Sequence, residues 1–197
     1  MFTGIIECLG KIVSIEKQGT NSVFWVSSPL ANELKIDQSL SHNGVCLTIE
    51  SIKDSLHRVT AIEETLRKTN LNHWKVDSLV NLERCTQMNG RLDGHIVQGH
   101  TDTTAICTKA IALDGSWEYS FELDKQFAHL IIEKGSIAVN GISLTCFNVT
   151  NNGFTIAVIP YTYEHTNIKT VEEGSIVNIE FDIIGKYISR INTLKNS

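Results

Sequence analysis

The chain repeats itself, and the repeat limits what it can fold into more than any other feature. Asn43-Gly-Val-Cys-Leu-Thr48 returns 97 residues later as Asn140-Gly-Ile-Ser-Leu-Thr145. Sliding Phe24–Glu83 by the same interval onto Phe121–Glu180 needs no gap and gives 15 identities in 60 pairs. Unrelated segments of ordinary composition would share roughly three or four. Ile62-Glu-Glu-Thr-Leu-Arg-Lys-Thr-Asn70 lies over Ile159-Pro-Tyr-Thr-Tyr-Glu-His-Thr-Asn167. The starts also align, Phe2-Thr-Gly4 over Val97-Gln-Gly99, if the second copy gains two residues before Phe121. Solenoid units run about 20–50 residues, so this longer period reads as a duplicated domain. The expected division is 1–93, 94–183 and a terminal segment 184–197.

Strand signals dominate each copy. In the first, Ile5–Ile15, Ser22–Ser27, a segment from Leu40, Cys46–Ile52, His57–Ile62 and Leu79–Glu83 are rich in β-branched or alternating apolar residues. Asn43-Gly44 is a two-residue hairpin signal. Pro29–Leu34 suits a short helix, and Ile62–Asn70 a short helix or loop. The second copy repeats the order through Thr104–Ala112, Ser116–Leu123, a helix over Asp124–Glu133, Ser136–Val139, Leu144–Thr150, Phe154–Ile159 and Ile176–Phe181. The fold class is all-β: two homologous six-stranded antiparallel Greek-key barrels joined by the short connector Arg84–Asp93. Beyond them Ile184, Tyr187, Ile188, Ile191 and Leu194 line one face of a helix. That apolar face must be buried, either on its own barrel or against another subunit.

Composition removes several function classes. A net charge of −5 with no Lys/Arg cluster argues against nucleic acid. No apolar run approaches the ~18–20 residues that span a membrane. Met1–Glu7 lacks the basic and apolar regions of a signal peptide, so a cytoplasmic location is expected. Five cysteines form no C-x-x-C pair, which leaves free thiols and no zinc or redox motif. His95 and His100 carry no metal-ligand pattern around them, so no metal is expected.

Ser143 with Thr145, and Cys46 with Thr48, alternate with apolar neighbours and so project from one side of a strand. Gly4 and Gly99 hold equivalent positions, where a glycine either lets a flat ligand approach the backbone or forms a bulge. Only the second copy carries an imidazole there, His100, whose counterpart is Ile5. Thr65, Thr69 and Asn70 match Thr162, Thr166 and Asn167, as ligand hydroxyls or as caps. No dinucleotide fingerprint, phosphate loop or Ser-His-Asp order is present.

Met1-Phe-Thr-Gly-Ile-Ile-Glu7, the two Asn-Gly frames, Gly94-His-Ile-Val-Gln-Gly-His100 and the duplication itself resemble the riboflavin synthase family of the α-chain type, over essentially the whole chain. The resemblance implies a transferase that dismutates two 6,7-dimethyl-8-ribityllumazine molecules into riboflavin and 5-amino-6-(ribitylamino)uracil by four-carbon transfer, without a cofactor. It also implies a homotrimer assembled through Ile184–Leu194, with two lumazines per active site between barrels of different subunits. Association with lumazine synthase is left open.

Carried over by position, the resemblance implies that Ser143, Leu144, Thr145, His100 and Lys134 line the second-barrel site. Tyr161, Thr162, Tyr163, Glu164, His165 and Thr166 lie around its ligand. Cys46, Leu47, Thr48, Gly4, Ile5, Ile6, Glu64, Thr65, Leu66, Arg67, Lys68 and Thr69 form the first. Gly99 and Thr101 flank His100, and Phe2 and Asp182 lie near the chemistry. His100 is the expected proton-transfer partner, Ser143 and Thr145 orient a nucleophilic water or ribityl hydroxyl, and Cys46 assists from the facing barrel. A lumazine carrier without catalysis is the main rival, disfavoured because the second copy keeps Ser143, Thr145, His100, Lys134 and Asp182. A flavin-reductase-type barrel would need a nucleotide-binding domain after Asp182, where 15 residues remain.

Overall fold

The computed structural model describes residues 1–195. The first copy contains β1 (Cys8–Gln18), β2 (Asn21–Ser27), β3 (Ser39–His42), β4 (Val45–Thr48), β5 (Ser51–Lys53), β6 (Leu56–Ala61), α1 (Glu63–Lys68) and β7 (Leu79–Arg84). The second contains β8 (Thr103–Leu113), β9 (Ser116–Glu122), β10 (Ser136–Val139), β11 (Ile142–Phe147), β12 (Gly153–Val158), α2 (Pro160–His165) and β13 (Ile176–Phe181). Helix α3 (Ile183–Lys195) follows.

The second copy is a closed antiparallel barrel in the order β10-β11-β12-β9-β8-β13, with β13 pairing back onto β10. The first has the same order, β3-β4 through β7, β1, β2 and β6 to β5. The strand expected over Cys46–Ile52 is broken at Ile49-Glu50 into β4 and β5. These halves sit at the two ends of the sheet, so the chain itself turns the corner. Ile49 still donates to Gln38 (2.9 Å) and Glu50 to the Arg58 carbonyl (2.9 Å). The segment 124–133 forms a 3-10 helix only over Lys125–Leu130, with Asp124 capping the Gln126 amide. Alternation fills each barrel with its own apolar cluster, around Phe24, Leu40, Val59 and Leu82 in one and Phe121, Ile137, Ile156 and Phe181 in the other.

Both Asn-Gly turns have two successive residues at positive φ, Asn43 at 49° with Gly44 at 78° and Asn140 at 46° with Gly141 at 79°. This is the geometry of a tight hairpin whose twist matches its strands. The turn tips also meet each other. A Cβ on Gly141 would lie 2.6 Å from the Gly44 nitrogen, so the barrels touch backbone to backbone here. Around that point six buried asparagines, 97 positions apart in pairs, cross-link the copies. Asn81 Nδ2 donates to the Asn140 carbonyl (3.0 Å) and Asn178 Nδ2 to the Asn43 carbonyl (2.9 Å). The Asn70 amide donates to Asn178 Oδ1 (2.7 Å) and the Asn167 amide to Asn81 Oδ1 (2.7 Å). Buried polar groups are tolerable only when paired, and here the pairing fixes one barrel against the other about a pseudo-twofold axis.

Candidate functional site

Val45 and Leu47, like Ile142 and Cys146, face their barrel interiors. The alternate residues therefore project from the outer face: Cys46 and Thr48 on β4, Ser143 and Thr145 on β11. Leu47 and Leu144 belong to the cores they flank. Lys134 holds a left-handed turn (φ 61°) and reaches over the Phe147 ring at 5.3 Å, which puts its ammonium on the Ser143–Thr145 face.

The segments that lead into each barrel do not stay with it. Phe2 and Val97 pair across the axis by two backbone bonds of 2.7 and 3.1 Å. Beyond that bridge the first-copy segment runs along the second barrel, where the Gly4 carbonyl accepts the Ser143 amide at 2.8 Å. Ile6 there packs on the second barrel's core. The second-copy segment runs along the first barrel, where the Gly99 carbonyl accepts the Cys46 amide at 2.9 Å. The approach is so close that a Cβ on Gly4 would lie 2.6 Å from Ser143 Cβ, and one on Gly99 2.6 Å from Cys46 Cβ. Positive φ values of 78° and 79° complete the requirement for glycine.

This exchange regroups the expected site residues. Within one chain Gly4 bonds to Ser143 and Ile6 packs on the second barrel, whereas Gly99, which His100 and Thr101 follow in the chain, bonds to Cys46, the reverse of the expected grouping. The cause is the Phe2–Val97 bridge, which hands each segment to the opposite barrel. Phe2 is 1% exposed and packs with Val97, Ala138, Cys46 and Cys85, so it is part of the joint between barrels.

The imidazole that meets Ser143 is His95, with Nδ1 2.7 Å from Oγ. Its amide donates to the Thr3 carbonyl at 3.0 Å, and Gly94 packs so tightly that a Cβ would lie 2.0 Å from the Thr3 oxygen. Burial holds the His95 pKa below the ordinary histidine range, partly opposed by the nearby Asp182 carboxylate. A neutral ring can accept the Ser143 hydroxyl proton and leave the Oγ lone pairs for a ligand. Asp182 also caps α3, accepting the Ile184 amide at 2.9 Å. No spacing rule singled out His95, because its repeat counterpart would precede Met1. The Gly94-His95 dipeptide beside His100 was the available signal.

The facing half-site carries a thiol. Burial is the main cause that raises the Cys46 pKa, and the charges of Cys85 and Glu180 add to it. Two further residues escaped the sequence reading, the buried carboxylates of Glu83 and Glu180, repeat counterparts on β7 and β13. Each accepts amides of the leading segment of its own copy.

The helical rims differ between copies. Glu64 on α1 pairs with Arg67 (2.5 Å) and Lys68 (3.0 Å) in an exposed cluster. On α2, Tyr161 stacks on His165 (4.1 Å) and Tyr163 on Trp117 (3.8 Å), beside exposed Glu164. Thr65 and Thr162 are half-buried and Leu66 is core. Thr69 and Thr166 spend their hydroxyls on the Thr65 (2.6 Å) and Thr162 (2.7 Å) carbonyls and on capping the next turn.

The lumazine-binding domain family matches this chain twice, over residues 3–85 and 98–182. The riboflavin synthase of Actinobacillus pleuropneumoniae is 40% identical over 191 residues, covering 96% of this chain and 89% of that protein. The riboflavin synthase of Bacillus subtilis (strain 168) is 39% identical over the same shares. That of Escherichia coli (strain K12) is 36% identical, covering 92% of this chain and 87% of its own. Among solved structures, LumP complexed with riboflavin superposes with a TM-score of 0.87 at 21% identity, covering 92% of this chain and 99% of that one. At that identity the likeness speaks for the fold.

Proposed function

The chain belongs to the lumazine-binding domain family, and from that premise we propose that it carries out the riboflavin synthase reaction of its relatives. Two molecules of 6,7-dimethyl-8-ribityllumazine react, one as four-carbon donor and one as acceptor, to give riboflavin and 5-amino-6-(ribitylamino)uracil. The observation that carries the reading is the duplicated half-site, one outer strand with Ser143 and one with Cys46, each braced by a glycine of the other copy. A reaction that uses one compound in two roles needs two related but unequal seats, and the thiol and the hydroxyl, like the charged and aromatic rims, supply the inequality.

Holding the two rings with their reacting carbons in reach removes a large entropic cost from the bimolecular step. The 7-methyl protons of a lumazine are acidic because the anion spreads over the ring, so an ordinary imidazole suffices as base. We assign His100 to proton transfer on the Cys46 side and Ser143, held by neutral His95, to orienting a water or ribityl hydroxyl. Thr48 and Thr145 continue these faces, and Lys134 is placed to meet polar ring edges. No external cofactor enters this scheme.

Both half-sites lie open on the outside of a single chain, with Thr48, Thr145 and Lys134 exposed. A second chain would enclose them. Helix α3 offers the means: Ile184, Tyr187, Ile188, Ile191 and Leu194 are each between 50% and 67% exposed. A contiguous apolar stripe of this kind marks an interaction surface. We read it as the seam of a homotrimer that sets the first barrel of one chain against the second barrel of another. The working division is 1–93 and 94–183 as ligand-binding units and 184–197 as the assembly segment. Five free cysteines suit the reducing cytoplasm, and co-purification tests contact with lumazine synthase.

The test is turnover with lumazine as sole substrate. Riboflavin and 5-amino-6-(ribitylamino)uracil should form in equal amounts, one of each for two lumazines consumed. Tight binding without product would make the protein a carrier and defeat the proposal.

A further inference from the structure

The buried carboxylates Glu83 and Glu180 have no part in the scheme above. Each is almost fully buried, at 3% and 2% exposure, which is costly for a charge unless it is hydrogen-bonded. Their partners are backbone amides. Glu83 accepts the Thr3 amide (2.6 Å), the Thr3 hydroxyl (2.7 Å) and the Gly4 amide (3.0 Å). Glu180 accepts the amides of Gln98 (2.6 Å), Gly99 (2.9 Å) and His100 (2.8 Å). The same glycines whose N–H groups are held by these carboxylates present their carbonyls to the amides of Ser143 and Cys46 at 2.8 and 2.9 Å. An unbroken line of bonds thus runs from Glu83 through Gly4 to Ser143, and another from Glu180 through Gly99 to Cys46.

Both lines cross from one barrel to the other. On the reading that Ser143 and Cys46 mark the two lumazine seats, we propose that Glu83 and Glu180 are positioning residues whose control is exchanged: Glu83 of the first barrel sets the Ser143 seat on the second, and Glu180 of the second sets the Cys46 seat, with His100, on the first. An ionised carboxylate suits this task because it only accepts. Glutamine in its place would turn a donor toward one of the bound amides, breaking charge-assisted bonds that are shorter and stronger than neutral ones. The arrangement also ties the two seats of one chain together, since each depends on the other copy's frame.

The test combines Glu83→Gln and Glu180→Gln with Ser143→Ala and Cys46→Ser in four double-mutant cycles, read by kcat and KM for lumazine and by amide NMR of the full chain. Each glutamine variant should lower kcat by about tenfold to a hundredfold. Glu83→Gln should be non-additive with Ser143→Ala and additive with Cys46→Ser, and Glu180→Gln the reverse. The amide resonances of Gly4 and Ser143 should move in Glu83→Gln, and those of Gly99, His100 and Cys46 in Glu180→Gln. If Glu83→Gln does not fold, Thr3→Val removes the hydroxyl bond to Glu83 together with the one the Ile5 amide makes to that hydroxyl, and should move the Gly4, Ile5 and Ser143 amides while leaving those of Gly99, His100 and Cys46 in place. Coupling of each glutamate to the motif of its own barrel, or unchanged turnover in both variants, would overturn the proposal. Should the wild type not convert lumazine, the riboflavin synthase reading fails by itself, while the crossed or uncrossed amide pattern still decides the positioning.

Discussion

Replacing His42 by Val and His57 by Phe should remove a large part of the protein's acid sensitivity. These two rings are fully buried in the first barrel, 2.9 Å apart through their Nε2 atoms. His42 Nδ1 lies 3.0 Å from the Leu40 carbonyl, which can only accept, so Nδ1 carries the proton. A neutral His42 then accepts at Nε2 from His57, and His57 Nδ1 is left buried without a hydrogen-bond partner among the described residues. Burial lowers the His57 pKa to about 4, and burial followed by the neighbouring ring pushes His42 well below the usual range. Between that value and the ordinary histidine pKa the unfolded chain binds more protons than the folded one, so stability falls as the pH drops through the window. From the His57 shift alone the loss is about 3 kcal/mol, at about 1.4 kcal/mol per unit.

The second barrel supplies the replacement, because the repeat places Val139 and Phe154 at these two positions. Urea denaturation at equal protein concentration would be followed by Trp74, which sits edge-on against Phe24 in the first barrel at 5.1 Å. The wild type should lose at least about 3 kcal/mol more than the double variant between neutral pH and about pH 4, since the His42 shift adds to that of His57. His57→Phe alone should destabilise at neutral pH, since it strips His42 Nε2 of its donor. An unchanged acid loss in the double variant would show that the histidine pair does not set the acid sensitivity.

Other outcomes follow from the same structure. Gly141→Ala should cost about 2–4 kcal/mol, combining a left-handed backbone with a collision against Gly44. Gly115→Ala, at a φ of 82° with open space around it, should cost only the backbone part, so thermal melting of the pair separates strain from crowding. If α3 is the trimer seam proposed above, Ile188→Asp or Ile191→Asp should give monomers by sedimentation equilibrium and abolish turnover while each chain keeps its circular dichroism. His95→Gln should slow turnover at every pH. It should also remove any activity loss on acidification that belongs to His95, a loss setting in below the usual histidine range because burial depresses that pKa.

Much of the fold is legible in the residues themselves. The repeat announces two copies, alternation gives their strands, the Asn-Gly pairs give the hairpins, and the spacing from Ile184 to Leu194 gives α3. The crossing of the leading segments is not legible, for a symmetry reason. A repeat alignment makes Gly4 equivalent to Gly99 and Cys46 to Ser143, and it is equally satisfied whether each glycine serves its own barrel or the other. The backbone bonds from Ser143 to Gly4 and from Cys46 to Gly99, beside the Phe2–Val97 bridge, break the tie. The asparagine network was hidden in plain view, since Asn43 and Asn140 are explained by their turns and give no sign of a second role. Glu83 and Glu180 lie next to the last residue of β7 and β13, and nothing in the strand pattern marks them as buried acceptors of the leading segments' amides. The break at Ile49-Glu50 likewise depends on a corner that the apolar pattern of Cys46–Ile52 runs straight through.

On the proposed reading each chain holds two ligand seats, one per barrel, each completed by the other copy's leading segment. Titrating the protein with riboflavin counts ligands per chain, with the Cys46, Gly99, Ser143 and Gly4 amides followed by NMR. Two ligands per chain, one moving Cys46 together with Gly99 and the other Ser143 together with Gly4, is the predicted result. One ligand per chain, or shifts that pair Gly4 with Cys46, would rule out two crossed seats.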